Sequence, residues 1–174
     1  MGSTMKSSKP IHVHEVWADN LVAEFSLIKE AISRFSFVAL DTEFPGTLFL
    51  SNHDKSLLSQ APPSHNYCLM KYNVDLLKII QLGMTLSDSQ GNLRSFGTEL
   101  HYACRFDFRD LNIEHDPYNK SIELLERQGI DLKKNRENGI DSSDFAWMVL
   151  KSGLVFSNSS ITGLLFMVLM ISGS

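Results

Sequence analysis

The chain has 174 residues, 43% hydrophobic and 21% charged, which suits a single domain able to bury a real core. A formal charge of −4 leaves no basic footprint, so bulk charge does not advertise a polyanion binder. Cys68 and Cys104 stand alone, without a C-x-x-C or Cys/His cluster, and read as reduced thiols in an intracellular protein.

The opening MGSTMKSSKP lacks the apolar core of a signal peptide, and Lys6 stands where a myristoylation motif needs Ser or Thr. Residues 1 to 10 are expected to form a disordered tail. Trp17, Leu21, Phe25, Ile28, Ile32 and Phe35 recur at steps of three and four, which predicts an amphipathic helix packed on a sheet. Strand one follows in Phe37 to Leu40 and runs into Asp41. Thr47 to Ser64 is a polar loop closed by Pro62-Pro63. A short helix around Tyr67 to Leu77 and a strand within Lys78 to Leu86 come next. The turn Ser87 to Asn92 predicts a hairpin into a strand within Leu93 to Phe96 or Tyr102 to Phe108. In the second half Asp116 is expected to cap a helix with Pro117 at its first position and Gly129 at its end. Asp141 and Asp144 resemble a capping box opening a helix that ends near Gly153. This order of elements fits a mixed α/β domain.

The chemistry concentrates in FVALDTEFPG, Phe37 to Gly46. With a side-chain period of two, Asp41 and Glu43 project from one strand face. Two carboxylates crowded at the end of a buried strand repel each other unless a cation neutralises them. Hard divalent ions take such oxygen ligands, commonly one or two carboxylates plus phosphate oxygens. A D-x-E triplet is also common as a solvated acidic edge. The apolar run before this one, and the aromatic and Pro-Gly after it, set it apart. The six histidines, His12, His14, His53, His65, His101 and His115, show no pairing at metal-ligand spacing. Lys133, Lys134 and Arg136 read as a solvated helix face.

FVALDTEFPG resembles the first nuclease motif of the DEDD superfamily, and more narrowly that of CAF-type poly(A) ribonucleases, the deadenylase subunits of the CCR-NOT complex. Residues 14–32, 72–86, 106–141 and 145–155 resemble further family blocks in the expected order, so the resemblance spans about residues 11 to 162. It implies an RNase H-like α/β fold, with a mixed sheet flanked by helices and incomplete at the C-terminus. It also implies hydrolytic removal of AMP from the 3′ end of the poly(A) tail of mRNA, with two Mg²⁺ (or Mn²⁺) ions held by four carboxylates. Carried over by position, Asp41 would bridge both metals and Glu43 would bind one. Thr42 and Phe44 would lie along the terminal nucleotide. CCR-NOT subunits are the implied partners, no membrane is involved, and the implied locations are cytoplasm and nucleus. Asp107 and Asp110 fall in the hairpin block, not in a second DEDD motif, and stay outside the site.

The resemblance ends abruptly after Thr162. The family continues with a strand ending in a motif like WVTFHGAYDFG, whose Asp is the third ligand. This chain reads GLLFMVLMISGS from Gly163 to Ser174. Codons for WVTFHGAYDFGF, read after loss of their first T, spell GLLFMVLMISG and then Ser. Residues 163–174 are therefore expected to be a non-family apolar tail, the family's second motif read out of frame. The third Asp would fall at the position of Ile171. Only Asp41 and Glu43 of the metal cage are then present, and the 174-residue chain is expected to be nearly or wholly inactive. The alternative is a non-catalytic short form that binds complex partners as a competitor. The tail is much shorter than the roughly 20 residues a membrane-spanning helix needs, and can lie as a strand beside strand one. Poor solubility is expected for the chain alone.

Overall fold

The computed structural model describes residues 10–49, 62–95, 98–155 and 161–167, the last four of these by backbone alone. Five strands form one mixed sheet in the order β1-β4-β3-β2-β5. They are β1 (Ile11–Val16), β2 (Phe37–Glu43), β3 (Gln81–Ser87), β4 (His101–Asp107) and β5 (Thr162–Met167). β2, β3 and β4 run antiparallel in sequence, while the edge strands β1 and β5 pair parallel with β4 and β2. The apolar tail thus enters the sheet beside the carboxylate strand, with Asp41 opposite Phe166.

The helices are α1 (Leu21–Ala31), α2 (Pro63–Leu76), α3 (Ile122–Arg127), α4 (Leu132–Asn138) and α5 (Ser142–Ser152). Alternation sorts the sheet into two faces. Val38, Leu82, Met84, Leu86, Cys104 and Phe106 are buried against Leu21, Phe25 and Ile28 of α1 and against Phe145, Met148 and Val149 of α5. The Phe145 ring lies 5.5, 5.0 and 5.2 Å from Phe25, Phe106 and Phe108, so one aromatic ties α5 to both α1 and β4. Ile80, Leu111, Ile122 and Leu125 make a second small core around α3. No described helix is long and apolar enough to cross a membrane.

Several expectations need correction. The apolar stripe that starts at Trp17 begins a helix only at Leu21, and Ile11–Val16 before it is a strand. Ile11 and Val13 alternating with His12 and His14 is the period-two signal that marks it. Asp116 caps no helix: its carboxylate accepts from the Asn112 N–H at 2.7 Å, and the helix starts at Ile122. A side chain closing its own turn is the usual competitor of a cap. The Tyr67 helix starts earlier, at Pro63, which occupies the first helical turn where a missing N–H costs nothing. Asp141 does cap α5, accepting from Ser143 N at 2.9 Å, and the helix ends at Gly153. The loop expected over Thr47 to Ser64 lies outside the described residues from 50 to 61.

Candidate metal and phosphate site

β2 carries Val38, Leu40 and Thr42 toward the core and Ala39, Asp41 and Glu43 toward the opposite face. That face holds a groove of about 340 Å³ lined by strand residues, among them Asp41, Glu43, Gln81, Gly83, Thr85 and Arg105. The structure thus brings the two carboxylates together as the spacing predicts. Thr42 is buried on the other face and does not line the groove, while Phe44 is half-buried just beyond it.

Burial, and then the negative charge of Asp41, push the Glu43 carboxyl above its ordinary range. A pair whose second charge is resisted in this way is a donor set that fits a divalent cation. Among the described residues no group of three or more His, Cys, Asp or Glu side chains is placed to hold a metal ion.

The chain after Glu43 is held from three sides. Ile80 N donates to Glu43 O at 2.9 Å, and Asn119 N to Pro45 O at 2.8 Å. Gly46 has φ +88°, and a Cβ there would meet Ser121 Oγ at 2.2 Å and Asn119 Cβ at 2.6 Å, so glycine is required. Asn73, the one buried residue of α2, accepts from Leu48 N and Phe49 N at 2.8 and 3.0 Å. Its amide nitrogen donates to Phe49 O and Leu69 O at 3.0 and 2.8 Å. Sequence reading missed Asn73, Asn119, Gly83 and Arg105. Gly83 inside an apolar strand was the one visible hint.

The excluded residues are structural. Asp107 is buried between Gln81 and Arg105, and Asp110 accepts from the Ser142 backbone and hydroxyl. His14 donates to buried Glu24 at 2.6 Å. Glu24 also takes Arg94 at 2.8 Å and Cys104 at 3.0 Å, and burial followed by the Glu24 charge pushes the Cys104 thiol up to about 12. Both cysteines are free, and Cys104 is an inert one.

Comparison with known proteins gives a consistent result. The profile of the CAF1 family of ribonucleases matches residues 16–143. The chain is 44% identical over 166 residues to probable CCR4-associated factor 1 homolog 10 of Arabidopsis thaliana, covering 91% of this chain and 56% of that protein. It is 40% identical over 157 residues to the poly(A) ribonuclease pop2 of Schizosaccharomyces pombe, covering 86% and 42%. Among solved structures, S. pombe Pop2p in its Mg²⁺- and Mn²⁺-bound form superposes with a TM-score of 0.76 at 37% identity, over 88% of this chain and 57% of the other. CAF1 co-crystallised with the yeast NOT1 MIF4G domain gives 0.68 at 29% identity, over 95% and 57%. The chain spans about half the length of the curated relatives it matches.

Proposed function

The chain belongs to the CAF1 family of ribonucleases, and on that premise we propose that its site is that of a metal-dependent 3′-to-5′ exoribonuclease acting on poly(A). One observation carries the reading: Asp41 and Glu43 face a single groove, with Glu43 resisting its own charge. The metal-bound Pop2p relative supports Mg²⁺ or Mn²⁺ as the ion. Such ions, when bound, stabilise the attacking and leaving oxygens of an in-line displacement. The chain's own part is to hold the cation on Asp41 and Glu43. The braced segment after Glu43 keeps Phe44 along the terminal nucleotide, and Thr42, its side chain in the core, contributes only backbone there. The same membership supports CCR-NOT subunits as partners, as does the relative co-crystallised with NOT1, and that assembly implies cytoplasm and nucleus.

Titration calorimetry with Mn²⁺ tests the site. Wild type is expected to bind with loss of binding in Asp41→Ala and Glu43→Ala, and indistinguishable heats in all three would refute the assignment.

A second reading rests on the donor set. Two-metal chemistry needs more ligands than Asp41 and Glu43, and no third His, Cys, Asp or Glu joins them among the described residues. On this reading the 174-residue chain is a binding module with little or no turnover. Poly(A) shortening by the purified chain, with Asp41→Ala as the dead control, separates the two.

A further inference from the structure

Strand register places Asp41, Gly83 and Arg105 in one cross-strand row, with Glu15 of β1 next in line. Among the described residues lining the groove, Arg105 alone is positively charged. Its guanidinium is braced from behind. Nε donates to Asp107 Oδ2 at 3.1 Å and Nη2 pairs with Glu15 Oε1 at 2.9 Å, while Gln81 Nε2 donates to the other Asp107 oxygen at 2.6 Å. These contacts engage two of the three guanidinium nitrogens. Nη1 is left on a side chain that is 34% exposed at the groove.

Between the two charges lies Gly83. A Cβ there would meet only Asp41, at an ordinary 3.8 Å, so packing does not require glycine. Its φ is not among the positive ones, so the backbone does not require it either. Glycine weakens a strand interior and commonly marks a place where a ligand approaches the backbone closely. The missing side chain leaves the groove floor open from the carboxylates to the guanidinium.

From this we infer that Arg105 grips a phosphate of a single-stranded oligonucleotide that crosses Gly83, with the neighbouring phosphate directed to the cation on Asp41 and Glu43. The inference rests on the function proposed above and adds the residue that positions the strand. A preorganised guanidinium matches phosphate oxygens in a way a lysine does not.

Fluorescence anisotropy of a 5′-labelled oligoadenylate in Mn²⁺, across a salt series, tests it. Arg105→Gln is expected to weaken binding about tenfold and to flatten the log K against log salt slope by about 0.7, the value for one phosphate contact on a single strand. Arg105→Lys should keep the slope and lose part of the affinity. Gly83→Val should lose binding while its urea midpoint stays at or above that of wild type. That pairing of outcomes separates a blocked floor from a damaged fold. Should Arg105→Gln fail to fold, the Lys and Val variants decide. Wild-type affinity and slope in Arg105→Gln, or normal binding by Gly83→Val, overturns the inference and leaves the metal site standing if Asp41→Ala still loses the Mn²⁺ dependence. A wild-type chain that binds no oligoadenylate overturns both.

Discussion

Asp41 and Glu43 are two residues apart on one strand face, and their charges oppose folding as much as they invite a cation. Burial and the Asp41 charge raise the folded-state pKa of Glu43 above its ordinary 4.5. The folded chain therefore holds an extra proton between the two values, and stability falls as pH rises through that window. Glu43→Gln should raise the urea midpoint at about pH 7 and leave it unchanged below about pH 4, where both states are protonated. Equal midpoints at neutral pH would sink the argument. Glu24 has the opposite sign. Burial alone would raise it, yet hydrogen bonds from Arg94 and Cys104 and the Arg94 and His14 charges hold it below 4.5. Its contribution is present above the ordinary carboxylate range and is lost as pH falls through the lowered value. Because the Arg94–Glu24 pair is fully buried, Arg94→Met alone should cost about 3–5 kcal/mol by urea unfolding. Adding Glu24→Leu should recover most of that, since it removes the stranded charge.

At the scale of elements, α2 is held by hydrogen bonds more than by apolar burial. Asn73 is its one buried residue, and the Asn73 amide joins the helix to residues 48–49 behind the site. Asn73→Ala should cost about 2–4 kcal/mol, because it strands two backbone N–H groups, while Tyr72→Ala on the exposed face should cost under about 1 kcal/mol. Hydrogen exchange at Leu48 and Phe49 is the measurement, and slow exchange persisting in Asn73→Ala would count against the clamp. What the sequence made legible follows the same division. β2 and α5 were readable because their signals are local: an apolar run into D-x-E, and an aspartate cap with glycine at the other end. β1 was hidden because its hydrogen bonds come from β4, some ninety residues away, and a helical stripe begins directly after it. Arg105 was invisible as a site residue for the same reason, and Gly83 left only a hint: the register of three strands sets them in a row with Asp41.

At the scale of the molecule, α1 and α5 cover one face of the sheet, and the described residues that line the groove on the other are strand residues alone. Ile11 and Val13 stand 62% and 48% exposed on that second face, at the β1 edge. A face left open by the described elements and ending in an apolar edge strand favours self-association. Ile11→Lys with Val13→Lys should therefore shift the chain toward monomer in sedimentation velocity, with the unfolding free energy changed by no more than about 0.5 kcal/mol each.

The opposite edge carries the sharper test. β5 runs parallel to β2 with Thr162 opposite Phe37 and Met167 opposite Thr42, so residues 163–167 run alongside the strand that bears the carboxylates. A run of Leu, Phe and Met satisfies a strand but supplies no metal donor. A single T restored at the Gly163 codon would write a histidine at position 167 and an aspartate at position 171. The expected outcome is tighter Mn²⁺ binding, by about tenfold or more for a third carboxylate. Sequencing cDNA and genomic DNA across the Thr162 codon comes first. Finding no Asp-Phe-Gly codons in the shifted frame would end the argument, because β5 would then be an apolar strand in its own right.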